Sequence, residues 1–139
     1  ILEKHNSEML PQASEERTKV IEWLMIANAT IHVAYSKLFY VAKNIEDEDL
    51  KLSLLNKQAK VIEGLWKSID EHLKNSDYVA GDKPTAADFL LTTYANWGSF
   101  FPMQIQLGDN VKKLITNISS RPSFQKALQV EEVDYKATA

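Results

Sequence analysis

The sequence predicts an all-α domain: a bundle of about five helices, with two long antiparallel helices packed around a central core helix. Three observations predict it. Gly and Pro number only 4 each, so long stretches run without a breaker. Apolar residues recur at helical spacing over many turns. A capping signal, Thr85-Ala86-Ala87-Asp88, opens a segment in which Asp88 is the sole charge, and a helix apolar on most sides belongs at the centre.

The elements follow in chain order. Residues 1–12 read as the end of a helix and a lead-in loop containing Pro11. Ser14 suits an N-cap, and Glu15 and Glu16 suit the first turn of a helix, where carboxylates face unpaired N–H groups. The stripe Val20, Leu24, Ala27, Ile31, Ala34/Tyr35, Leu38, Ala42 carries that helix to about residue 43 or 44. The acidic run Glu46-Asp47-Glu48-Asp49 is a connector and the start of the next helix, not a metal site. Leu52, Leu55, Ile62, Leu65/Trp66, Ile69 and Leu73 mark that second long helix. A short link between two long helices makes them antiparallel. After a compact loop at 78–84, the third helix runs from Thr85 to about Phe100 or Phe101, before Pro102. Val111, Leu114, Ile115 and Ile118 give a fourth, which stops before Pro122. Pro122 then opens a fifth with Phe124, Ala127 and Leu128 inward. Residues 130–139 lack periodicity and are expected to be poorly ordered.

Composition narrows the function classes. With 16 Lys/Arg against 19 Asp/Glu, the net charge is −3, and no basic stripe speaks for a nucleic-acid partner. There is no Cys, so the chain supplies no thiol nucleophile and no cysteine metal site, and a cytoplasmic setting fits. The uncharged run at 89–108 is broken by Gly98 and Pro102, which makes it a core helix and its exit rather than a membrane span. Charges interrupt the first ten residues, which do not form a signal peptide. A start at Ile1 reads as a cut in a longer protein. No metal-ligand spacing, phosphate loop or hydrolase nucleophile motif is present.

The capping signal has a physical reading of its own. The Thr85 hydroxyl can accept from the Asp88 N–H while the Asp88 carboxylate reaches back to the Thr85 N–H, so two otherwise orphaned donors are satisfied together. His32 has one too. At about 100° per residue it falls roughly 110° from the inward stripe, on a mixed flank with Met25, Asn28, Ser36 and Phe39. Such a lane suits the wall of a cleft.

Val79-Ala80-Gly81-Asp82-Lys83-Pro84-Thr85-Ala86-Ala87-Asp88 resembles the loop and N-capping box that start the core helix of cytosolic glutathione transferases. Pro84 stands where that family usually has an apolar staple residue. Ser120-Arg121-Pro122-Ser123-Phe124 resembles the family's Arg-Pro motif, and Leu2-Glu3-Lys4-His5 with Leu10-Pro11 resembles the end of its first domain and the linker. Ile21-Glu22-Trp23-Leu24 and Ile31-His32-Val33-Ala34-Tyr35-Ser36-Lys37-Leu38-Phe39 are most similar to the bacterial beta class. There the resemblance places His32 near the glutathione sulfur and Trp97 near the electrophile pocket. Val33 and Thr30 stand where that class often has Lys and an acidic residue.

The resemblance implies a division of labour. Residues 1–12 would close a thioredoxin-like domain that binds glutathione, the co-substrate, without a metal. Residues 13–139 would be the helical domain that walls a small hydrophobic electrophile and helps form a homodimer. Under that reading His32 assists thiol activation, and Trp97, Asn28 and Phe39 line the substrate. Trp23, Trp66, Tyr94, Phe100 and Phe101 are core or domain-docking aromatics. His5 and His72 are surface residues at helix ends. A rival reading is a non-catalytic module of the same fold, used for protein–protein contact in a translation or regulatory complex.

Overall fold

The computed structural model describes residues 2, 4, 5 and 7–137. Helix α1 (Ser14–Ile26) passes through a π turn (Ala27–His32) directly into α2 (Val33–Asn44), so the first long helix reaches its expected end. Helix α3 (Glu48–His72) is followed by α4 (Ala86–Trp97), α5 (Asp109–Ser119) and α6 (Pro122–Glu131). Among the described residues the sole β pairing is an isolated bridge between Tyr78 and Gly81. Gly81 has φ 149°, a conformation that glycine adopts without a Cβ penalty.

The two long helices lie antiparallel. Gln58 of α3 donates to the Ala34 carbonyl of α2 at 3.1 Å, and the Trp66 indole N–H donates to the Tyr35 hydroxyl at 3.0 Å. Both aromatics are fully buried, and burial pushes the Tyr35 phenol up to about 12 against the opposing Trp66 hydrogen bond. α4 packs on α1, the π turn and α5, and is the central helix. Trp66, Ile62, Leu38, Leu91, Leu114 and Ile115 fill the core between them. No helix among the described residues is long and apolar enough to cross a membrane.

Asp88 does more than close a capping box. Its carboxylate accepts from the Thr85 N–H at 2.7 Å and the Thr85 hydroxyl at 2.9 Å, and its other oxygen accepts from the Val79 N–H at 2.9 Å. Thr85 and Asp88 form the reciprocal pair the sequence predicts; the Asp88 N–H also reaches the Thr85 carbonyl at 3.1 Å. The third bond, to Val79, ties the 78–84 loop onto the helix start. The lead-in segment is tied to the same point, because the Ala86 N–H donates to the Met9 carbonyl.

α5 is capped from a distance. The Asp70 carboxylate, on α3, accepts from the Val111 N–H at 3.0 Å and the Asn110 side-chain amide at 3.2 Å. Gly108 is the N-cap, and a Cβ there would lie 2.2 Å from the Asp70 carboxyl carbon. Asp70 is held in place by its two donors, so it cannot yield cheaply. Gly108→Ala is expected to destabilise the fold by about 1–3 kcal/mol, the usual range for overpacking, read as a lower urea midpoint with an unchanged slope.

Several expectations are corrected. Ser14 is not the N-cap: Ala13 is extended and its carbonyl takes the Arg17 N–H, while Ser14 is already helical. The end-of-helix reading of residues 1–12 falls partly on 1, 3 and 6, which lie outside the described residues; the others form turns and loop. Leu52 is 50% exposed, because it sits in the first turns of α3, before the buried run that starts at Leu55. Ala127 is exposed, and only Phe124 and Leu128 of its stripe turn inward. The tail is anchored rather than loose. The Asn96 side chain donates to the Asp134 carbonyl and accepts from the Lys136 N–H, and the Tyr135 hydroxyl donates to the Thr92 carbonyl. Glu132 makes the left-handed turn that redirects the chain there. Residues 138 and 139 lie outside the described set.

Candidate functional site

The π turn sets the site. A π turn inserts one residue into an α-helix through wider i→i+5 bonds, is rare, and often sits where function is placed. Here it spans Ala27–His32. Ala27 and Ile31 point into the core, and the opposite side carries Asn28 and His32. Two side chains bond to carbonyls beside the turn: Asn28 donates to the Leu24 carbonyl at 3.0 Å, and the Ser36 hydroxyl to the His32 carbonyl at 2.9 Å.

The last turn of α4 faces this lane. The His32 ring lies edge-on to Trp97, with centroids 5.4 Å apart, and to Tyr94, at 5.6 Å. Tyr94 and Trp97 pack on each other at 4.6 Å. About two turns along the helix from His32, Phe39 meets Trp97 at 5.7 Å and Phe101 at 4.9 Å. Phe100, on the 3₁₀ turn after α4, is 60% exposed and flanks Phe39. Edge-to-face pairs of this kind add about 0.5–1.5 kcal/mol each beyond buried area, so the wall is held by its own geometry. The Tyr94 hydroxyl donates to the Asn28 side-chain oxygen at 3.0 Å, and burial pushes its phenol up.

His32, Trp97, Phe39 and Asn28 therefore line one lane, with Tyr94 joining Asn28 to His32. Of the rest of that flank, Ser36 touches His32, its hydroxyl 3.4 Å from Nδ1, while Met25 is exposed. Thr85 and Asp88 stand at the opposite, N-terminal end of α4 and pin the helix from there. Tyr94 is buried and belongs to the site as well as the core. It lies three residues before Trp97, hence on the same helix face, which is the signal that could have found it. His72 is exposed, but it is not idle: its Nε2 pairs with the Val79 carbonyl at 2.9 Å and its ring packs on Trp23 at 4.6 Å.

Trp97 also borders a second space. A cleft of about 330 Å³ lies between α4, α6 and the tail, lined by Trp97, Phe100, Phe124, Leu128, Val133 and Tyr135 among others. Its lining is mainly apolar. The tail residues in it had no sequence signal, because their anchors, the Val133 N–H on the Leu128 carbonyl and the Tyr135 hydroxyl on the Thr92 carbonyl, leave no period. Among the described residues no group of three or more His, Asp or Glu converges as a metal site would require.

Known proteins share this fold. Residues 29–122 match the family model described as "Glutathione S-transferase, C-terminal domain". The chain is 24% identical over 123 residues to glutathione S-transferase GstA of Escherichia coli O157:H7, across 88% of this chain and 58% of that protein. It therefore spans well under two thirds of that relative. A glutathione S-transferase from Xylella fastidiosa superposes with a TM-score of 0.79 at 21% identity, over 88% of this chain and 59% of the other. A glutathione transferase from Burkholderia graminis, described with two glutathione molecules bound per subunit, superposes with a TM-score of 0.77 at 18% identity, over 96% of this chain and 57% of the other.

Proposed function

The chain belongs to the glutathione S-transferase family, as its match to that family's C-terminal domain shows, and from this premise we propose that it is the electrophile-side half of an enzyme that joins the glutathione thiolate to small apolar electrophiles. The observation that carries the reading is the aromatic wall: His32 set against the packed pair Tyr94 and Trp97, with Phe39 on Trp97. A planar apolar substrate would lie along Trp97 and Phe39, with Asn28 at the rim. His32 would face the sulfur of glutathione.

The glutathione site itself would lie on a thioredoxin-like domain ahead of residue 13, and the intact protein would be a homodimer in the cytoplasm. The exposed Phe100, with Trp97 and Phe101 beside it, is the face such a domain would cover, since a contiguous apolar patch marks a contact surface. The thiol chemistry sets the requirement. A free thiol has a pKa of about 8.5, and lowering it by two units takes ~2.7 kcal/mol. One or two hydrogen bonds to a charged sulfur, at about 1.5–3 kcal/mol each, supply that. His32 would donate one of them, the remainder coming from the preceding domain.

Retention on immobilised glutathione tests the division of labour. The protein carrying both domains is expected to bind and to elute with free glutathione, while this chain alone passes through. Equal retention of the chain alone would place the glutathione site on the helical domain and refute the assignment.

A further inference from the structure

We propose that Tyr94 is a positioning residue: its hydroxyl, acting through Asn28, fixes the π turn that carries His32. The consequence for catalysis rests on the reading of His32 as a cleft residue. The positioning itself is a property of this chain.

A π turn holds one residue more than an α turn, and relaxing it would rotate one flank of the helix by about 100° relative to the other. Apolar contacts on both flanks oppose that, through Val20 on α1 and Tyr35 and Leu38 on α2. Such contacts are non-directional and tolerate sliding, whereas a hydrogen bond at 3.0 Å does not. Asn28 supplies the directional restraint. Its amide N–H ties back to Leu24 in the last α-turn of α1, and its oxygen is held by Tyr94 from α4. Tyr94 is 5% exposed, so its hydroxyl has little water to turn to if Asn28 leaves.

Four residues after Asn28, the other side of the same tyrosine meets His32, ring against ring. One side chain thus touches both ends of the π turn, by its hydroxyl at Asn28 and by its ring edge at His32. Trp97, packed against Tyr94, meets the imidazole from the same side. Removing the hydroxyl while keeping the ring would leave the wall standing and free the turn.

The test is proton–carbon NMR of the imidazole signals of this chain, which has three histidines; a His32→Gln variant assigns the resonance. In the native chain the His32 signal is expected to be displaced by the ring currents of Tyr94 and Trp97. In Tyr94→Phe it should move toward the free-imidazole position or broaden, and the amides of residues 28–32 should exchange about tenfold faster, the value of one lost hydrogen bond of ~1.4 kcal/mol. Asn28→Ala, a change at an exposed position, should do the same. Asn28→Asp, which keeps the acceptor for Tyr94 but gives up the donor to Leu24, should hold the His32 signal nearer its native position than Asn28→Ala does. The double variant should show no more than Asn28→Ala alone, as coupled groups do. An unchanged His32 signal in Tyr94→Phe, or full additivity in the double variant, overturns the proposal. In the two-domain protein Tyr94→Phe should lower kcat and have no further effect in a His32→Ala background. Coupling seen by NMR together with undiminished turnover in His32→Ala would sink the functional reading and leave the positioning role intact.

Discussion

Asp88→Ala is expected to cost the fold about 3–5 kcal/mol, a large part of the stability of a domain whose total is on the order of 5–15 kcal/mol. Asp88 is 0% exposed and takes three donors, two of them backbone N–H groups. The Thr85 hydroxyl can rotate to another acceptor, but the Val79 and Thr85 N–H groups cannot, and each unpaired buried donor costs about 1–3 kcal/mol. The loss would reach beyond α4, because the 78–84 loop hangs on the same carboxylate. Urea titration followed by far-UV circular dichroism measures it. A loss under about 1 kcal/mol, less than one stranded donor, would mean that the N-terminus of α4 finds other partners.

The same residue gives a pH dependence. Burial pushes the Asp88 carboxyl above its ordinary 3.8, with the bonds from Val79 and Thr85 pulling the other way. Between 3.8 and its raised value the folded chain holds more proton than the unfolded one, so the contribution of Asp88 to stability falls as pH rises through that window. Below and above the window it is flat. The stability of the native chain relative to Asp88→Asn is therefore expected to decline from about pH 4 upward and then level off. A relative stability that climbs with pH would show that the donors outweigh burial.

Much of this was legible in the chain. Thr85 and Asp88 announce a helix start at three-residue spacing, and the near absence of charge beyond them places that helix inside. The buried sets on α3 and α5 follow from their apolar period. The π turn was not legible, because Val20, Ala27, Ile31 and Leu38 fit a continuous α stripe well enough that one inserted residue leaves no mark. The bond from Val79 to Asp88 and the cap from Asp70 to Val111 are also invisible, since each joins segments that only the fold brings together. The tail shows the opposite failure. Residues 132–137 have no period to read, yet they are fastened through Asn96 and Tyr135. For the site, the flank of His32 was readable from helical geometry, the place of Trp97 near a pocket comes from family resemblance, and the contact between the two had no signal. Tyr94 reads as a core or docking residue because a buried aromatic on an apolar helix looks like core, and burial does hide it. Its hydroxyl partner on Asn28 lies 66 residues away in sequence.

The claim on which the functional account turns is that His32 serves the glutathione sulfur, and kinetics of the two-domain protein test it. His32→Ala should lower kcat for conjugation of glutathione to an activated aryl halide by about 10–100-fold, the worth of one charge-assisted hydrogen bond of about 1.5–3 kcal/mol. Trp97→Ala, which takes away the apolar wall and leaves the imidazole, should act mainly on the KM for the electrophile. Turnover and glutathione affinity that both stay at native levels in His32→Ala would contradict the account and remove His32 from the site.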